Sequence, residues 1–389
     1  MSMNRIAAPE RTLMGPGPLD IHPRVYRALG SPVIGHLDPA YLKVLEEIGR
    51  RLRPIFGTQN RLTNATPGTG TSGMEACVVN LLEPGDRVLA CVHGYFGDRI
   101  RQMAERQGAE LTVIEGEWGR PTDPAAVEKK LKNGSYKLIT LVHAETSTGV
   151  LQPMEEMTRL AREHGAMILL DTVTSLGGVE VKVDEWGVDA AYSCSQKCIG
   201  SPPGLAPVTF SERALSAVKK RKRPSPSFYL DAQLLDQYWN ERVYHHTSSS
   251  TLNYGLLEAL VLIDEEGLQN RIARHWKNHR ALVAGVEAMG LKMLVAPGDR
   301  LPSLNTIRVP EGIDDARIRG YLLETFNLEI GGGLGALKGK VFRVGLMGYS
   351  SSAEKILFFL SALSRALSVQ DFKTDLSAGL SASLSLLEA

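Results

Sequence analysis

Lys197 closes the run Tyr192-Ser193-Cys194-Ser195-Gln196-Lys197 and is followed by Cys198-Ile199-Gly200-Ser201-Pro202-Pro203-Gly204. A lysine among small residues, between a short apolar segment and a Gly/Pro-rich turn, is poorly placed for a solvated surface charge. It is well placed for an amine that condenses with an aldehyde. Upstream, the apolar run Ala166-Met167-Ile168-Leu169-Leu170-Asp171 delivers a single carboxylate at a strand end. The pair offers what pyridoxal phosphate requires. The amine bonds its aldehyde carbon and the acid pairs with its pyridinium nitrogen.

Other segments also carry residue types capable of chemistry. Gly68-Thr69-Gly70-Thr71-Ser72-Gly73 fits G-x-G-x-x-G. A dinucleotide site needs a buried strand before it and an acid about 20 residues after it. The preceding Arg61-Leu62-Thr63-Asn64-Ala65-Thr66 does not read as a buried strand, and position 93 is histidine. A turn opening a helix over Met74–Leu82 still makes a phosphate cradle, against the plainer alternative of a helix cap by Thr71 or Ser72. His93-Gly94-Tyr95-Phe96-Gly97 places an aromatic between glycines at a strand end, able to stack on a planar ring or to serve as ordinary core. The hydroxyls of Glu145-Thr146-Ser147-Thr148-Gly149 could reach a cofactor oxygen or simply form a polar turn. Adjacent His245 and His246 lack a third ligand and are discounted as a metal site. Lys219-Lys220-Arg221-Lys222-Arg223 reads as a solvated basic face. Arg343, in the apolar run Val341-Phe342-Arg343-Val344-Gly345, needs an anionic partner. That partner is either a structural carboxylate or the carboxylate of a substrate, for which a guanidinium is well shaped.

These side chains must be held by a sizeable scaffold. With 389 residues, two domains are expected. Hydrophobic residues at 43% and charged residues at 22% mark a globular chain. A net charge of +1 gives no overall pull toward nucleic acid or membrane surfaces. The four cysteines show no metal-ligand spacing and read as reduced thiols of a cytoplasmic protein. From about residue 38 to 210, apolar strands (87–92, 111–114, 138–143, 166–171, 189–193, 206–210) alternate with helices. Their continuous apolar character predicts a parallel sheet covered on both faces. The expected organisation is an N-terminal arm at 1–20, a large domain at 21–266 and a small α+β domain at 267–372. The small domain is expected to hold strands near 291–296, 304–309 and 341–346. A frayed helix or flexible tail is expected at 373–389.

Taken together, GPGP at 15–18, EPGD at 83–86, STGVLQP at 147–153, LLDTVTSLGG at 169–178, SQK…PPG at 195–204, YHHT at 244–247, GGLG at 332–335 and FRVGLMG at 342–348 resemble the class V aminotransferases. Within that family the likeness is to the alanine–glyoxylate and serine–pyruvate aminotransferase group, over about residues 12–370. The resemblance implies an α/β fold-type-I pyridoxal-phosphate transferase, with a mostly parallel seven-stranded sheet and a smaller C-terminal α+β domain. It implies that Lys197 carries the cofactor and Asp171 holds its ring nitrogen. Val173 and Phe96 would flank the ring, and Thr146 would approach its hydroxyl. Gly70, Thr71 and Gln196 would bind the phosphate, joined by Tyr244 and Thr247 from the neighbouring subunit of a homodimer. Arg343 would bind the substrate α-carboxylate near the Gly17 backbone. Thr71 departs from the pattern, standing where the better-known animal members look to have histidine. The implied reaction is transamination between alanine or serine and glyoxylate or pyruvate. The alternatives are 2-aminoethylphosphonate or ureidoglycine donors, or a lyase or desulfurase on the same fold. A nicotinamide-dependent dehydrogenase is the remote alternative.

Overall fold

The computed structural model describes residues 8–388. The large domain is built on a seven-stranded sheet in the order Leu62–Pro67, Leu205–Phe210, Ala190–Tyr192, Met167–Asp171, Leu138–Val142, Arg87–Val92 and Glu110–Glu115. Leu205–Phe210 runs antiparallel to both neighbours, and the other pairings are parallel. Leu138–Val142 and Met167–Asp171 are buried at every position. Alternate side chains enter opposite faces of the sheet. Leu89, Ile139, Leu141, Ile168 and Leu170 join one core with the helices Pro39–Phe56 and Ser250–Glu266. Val88, Leu138, Val142 and Leu169 join a second core with Gly70–Leu81 and Tyr95–Arg106. Both faces are dry, which is why these strands read as uninterrupted apolar runs.

Parallel strands end at one edge of a sheet, where open α/β folds bind their ligands. Here the turns at that edge carry Thr69–Thr71, Phe96, Thr146, Asp171–Val173 and Gln196–Lys197. Local chemistry sets these turns. Gly73 packs its helix against the sheet so closely that a Cβ would stand 3.0 Å from Ala206 Cβ and 3.2 Å from Tyr192 Cβ.

The structure corrects four expectations. Residues Leu62–Pro67 do form a buried strand. Its polar side chains hid it, and one of them is met across the sheet, where the Thr63 and Thr209 hydroxyls lie 2.9 Å apart. The helix after it starts at Gly70, not Met74. Its N-cap, Thr69, makes no side-chain cap bond, so neither Thr71 nor Ser72 acts as the cap. The expected strand at 291–296 reduces to one isolated bridge between Met293 and Ile307. The expected tail forms the helix Leu376–Glu388. It packs along Leu268–Ala288, with Gly379 against Gly285 and Met289. Small residues allow that close approach, and their abundance is what made the segment look unstructured.

The small domain holds the antiparallel strands Leu304–Arg308, Val341–Gly345 and Gly331–Gly332. Gly267 (φ 80°) separates Ser250–Glu266 from Leu268–Ala288 at its boundary. The N-terminal arm is part of this domain. Thr12–Leu13 pairs with Leu328–Glu329, and Met14 is fully buried in the small-domain core. That anchoring delivers Gly15–Pro18 to the site.

Candidate active site

Thr69, Gly70, Thr71, Met74, Phe96, Arg99, Val173, Cys194, Gln196 and Lys197 enclose a cavity of about 130 Å³ at the carboxyl edge of the sheet. Six of the expected site residues therefore meet: Gly70, Thr71, Phe96, Val173, Gln196 and Lys197. The Lys197 side chain is only 9% exposed, and its Nζ donates to the Pro16 carbonyl. Burial pushes its pKa down, and the positive charge of Arg343 acts in the same direction. Gly17 (φ 101°) lies against this amine: a Cβ there would stand 2.6 Å from Nζ. The arm thus touches the amine where only glycine fits.

Asp171 ends its strand two residues before the cavity-lining Val173 and is 1% exposed. Its carboxylate accepts from Tyr192 Oη at 2.5 Å and from the Val173 amide at 2.8 Å. Burial pushes the carboxyl up to about 7, while these two hydrogen bonds pull the other way. The usual value is 3.8, so the folded, cofactor-free chain holds an extra proton between those two values. The associated stability is full below the usual pKa and is lost as pH rises through the folded one. Denaturant titrations of the cofactor-free chain should therefore show stability falling by a few kcal/mol from pH ~4 to ~7. Asp171→Asn should flatten that slope, and an unchanged slope would show that the carboxyl titrates elsewhere.

Arg343 is 6% exposed in its strand. Nε donates to the Gly332 carbonyl at 2.7 Å and Nη1 to the Thr146 carbonyl at 3.1 Å. It forms no ion pair among the described residues, so the structural carboxylate that sequence allowed is missing. Burial pushes its pKa down to about 10, with Glu145 acting in the opposite sense. Gly331 places this arginine beside the arm, since a Cβ there would meet Pro16 Cδ at 2.5 Å and Arg343 Cβ at 3.5 Å. Lys197, Pro16–Gly17 and Arg343 therefore form one contiguous wall. Thr146 joins it through its carbonyl, while its hydroxyl is bonded to that of Thr174.

Tyr244 and Thr247 are not brought to the cavity of their own chain. Tyr244 is 57% exposed, and its ring lies 5.2 Å from that of His36. A larger hollow of about 480 Å³ is lined by His22, Ile199, Glu266, Arg271, Arg274 and Tyr349, among others. Its cations are already engaged, both arginines being paired with Glu266. It therefore offers no reactive group comparable with Lys197.

The model of the class-V aminotransferase family matches residues 26–354. The chain belongs to the class-V aminotransferases. It is 41% identical to an alanine–glyoxylate aminotransferase of Drosophila melanogaster, covering 95% of this chain and 96% of that one. It is 38% identical to an (S)-ureidoglycine–glyoxylate transaminase of Bacillus subtilis, covering 93% and 92%. Among solved structures, an alanine–glyoxylate aminotransferase from Nostoc sp. superposes with a TM-score of 0.93 at 46% identity, covering 94% and 98%. The B. subtilis ureidoglycine–glyoxylate aminotransferase superposes at 0.97 and 38% identity, covering 99% and 100%. Like the family, this aminotransferase uses pyridoxal phosphate.

The residues present fit that cofactor. A buried amine lines the small cavity, and a buried carboxylate, Asp171, is hydrogen-bonded to the amide of the lining residue Val173. The uncapped N-terminus of Gly70–Leu81 opens onto it, and the Gln196 Oε1 atom is buried without a partner. The class-V motifs did not disclose the role of Glu145. Its buried carboxylate accepts from the Phe96 and Gly97 amides at 3.2 Å each and from Ser147 Oγ at 2.6 Å. It caps the helix that carries Phe96. The sequence signal was an acid in the turn that follows a buried strand. Arg271 was also missed. It ties the carbonyls of Gly177 and Cys198, on the loops following Asp171 and Lys197, at 3.2 and 2.6 Å. Nothing local in its helix distinguishes it from a surface arginine.

Proposed function

We propose that this aminotransferase moves an amino group from alanine or serine to glyoxylate or pyruvate. Arg343 carries the proposal. A buried guanidinium without a protein counter-ion, next to the Lys197 amine, suits the α-carboxylate common to these substrates. The glycines around it, Gly17, Gly331 and Gly332, leave backbone rather than side chains at this wall and favour a compact substrate. The relatives named for alanine and glyoxylate support the same pair.

When bound, pyridoxal phosphate supplies an aldehyde that captures amino groups and a protonated ring that accepts the electron pair released at Cα. The chain's own groups do the rest. Arg343 grips the carboxylate and so fixes which way the Cα–H bond points. Lys197, with its pKa lowered by burial, takes that proton as a neutral amine and returns it as a general acid. Asp171 supplies the buried negative charge that a ring cation needs. Phe96 and Val173 line the cavity and keep water away from the reacting atoms. One set of side chains serves both half-reactions, so ping-pong kinetics are expected.

The working unit in this proposal is a homodimer. The exposed Tyr244 and Thr247 are offered to the neighbouring subunit's phosphate site, a role that their distance from the cavity of their own chain supports. Light scattering on the holoenzyme should give twice the chain mass. The four cysteines are buried free thiols, which supports a cytoplasmic location. No described helix is long and apolar enough to cross a membrane.

A ureidoglycine donor is the second reading, favoured by the TM-score of 0.97 over 99% of the chain. A donor screen separates the two. Cofactor-loaded protein is mixed in turn with L-alanine, L-serine, (S)-ureidoglycine and 2-aminoethylphosphonate, and conversion of the cofactor to its amine form is followed by absorbance. Fastest conversion by alanine or serine supports the proposal, whereas preference for ureidoglycine replaces it with the second reading.

A further inference from the structure

The phosphate end of the cavity contains a cation that no motif flagged. Arg99 lies one turn after Phe96 on the helix Tyr95–Arg106 and lines the cavity together with Thr69, Gly70 and Thr71. Its guanidinium carbon sits 4.9 Å from the centroid of the Phe96 ring and 5.2 Å from that of Tyr95. Its Nη1 donates to Thr71 Oγ1 at 3.3 Å. The aromatic faces and the threonine therefore hold it in place. No carboxylate pairs with it among the described residues. The neighbouring acid, Asp98, is taken by Arg101 at 2.6 Å and by Gln102 at 2.6 Å.

Among the residues that line this cavity, Lys197 and Arg99 are the two cations, and no acid is present. The Lys197 amine is committed to the aldehyde. A phosphate ester near neutral pH carries a charge of about −1.5 to −2. A helix N-terminus supplies only about half a positive charge against it. We propose that Arg99 is the charged phosphate ligand of this site, binding the ester oxygens beside Thr71 while its flat face stays stacked on Phe96. The inference rests on the cofactor assignment above and adds to it a residue that couples the ring-stacking helix to the phosphate cradle. An arginine suits both tasks, since its plane stacks while its edge donates.

The test uses the full-length chain, stripped of cofactor and titrated with pyridoxal phosphate or with pyridoxal, which lacks the phosphate. Binding is read by absorbance. Arg99→Gln should weaken pyridoxal phosphate about 10-fold or more while leaving pyridoxal nearly unchanged. Arg99→Lys keeps the charge and should recover part of the loss. Equal weakening of both ligands would mean that Arg99 only supports Phe96, and would overturn the proposal. So would unaltered binding of both with a raised KM for the amino acid, which would place Arg99 on the substrate. If the wild-type chain itself fails to bind pyridoxal phosphate, the cofactor assignment falls rather than the role of Arg99.

Discussion

Lys197→Ala should lose at least about 10⁴-fold in kcat while the chain stays folded. The loss is large because, in the proposed function, one amine serves twice, as the anchor of the cofactor and as the base that moves the Cα proton. The fold should survive because Lys197 contributes a single hydrogen bond, to the Pro16 carbonyl, and no ion pair among the described residues. Removing a desolvated amine also relieves a burial cost. Lys197→Arg should be as inactive as the alanine variant. A guanidinium remains protonated at any working pH and cannot act as the neutral base. Circular dichroism and thermal melting establish the fold, and initial rates establish the loss. Normal transamination by either variant would remove Lys197 from the reaction.

Arg343→Gln should lower kcat/KM for α-amino acids by about 10²–10³-fold, the scale of one or two charge-assisted hydrogen bonds in a dry site. The glutamine can still donate to one of the two carbonyls, so the strand should hold. Arg343→Lys should recover little, because an ammonium cannot grip a carboxylate with a planar fork while also serving the Gly332 and Thr146 carbonyls. A primary amine without a carboxylate provides the control. Its slow reaction should be the same in wild type and variant. If the loss were equal for both classes of donor, Arg343 would be a structural support of the wall rather than the carboxylate ligand.

Legibility in the sequence followed the physics of each element. The inner strands were readable because both faces of the sheet are buried, so Leu138–Val142 and Met167–Asp171 carry uninterrupted apolar runs. The polar Leu62–Pro67 was not readable, since Thr63 meets its cross-strand partner Thr209 only after the sheet has formed. The helix Leu376–Glu388 was equally hidden. Its Gly, Ala and Ser content weakens any periodic signal, and its stability comes from fitting against Leu268–Ala288. At the site, Lys197 and Asp171 were legible because a lone charge amid apolar or small residues is chemically conspicuous. Arg99 was not, because folding alone brings it to Thr71, and Glu145 and Arg271 were not, because each acts through partners far away in the chain. For Glu145 these are the amides of Phe96 and Gly97. For Arg271 they are carbonyls on two distant loops. Gly17 was named from its motif, but its physical reason is the 2.6 Å approach that a Cβ would make to the Lys197 amine.

The central claim is amino-group transfer through Lys197 with Arg343 holding a small amino acid. A single half-reaction tests it most directly. Cofactor-loaded protein is mixed with excess L-alanine in the absence of any 2-oxo acid. The account predicts complete loss of the near-visible absorbance, release of one equivalent of pyruvate per active site, and recovery of the absorbance when glyoxylate is added. Retained absorbance, or pyruvate formed continuously with release of ammonia, would contradict it.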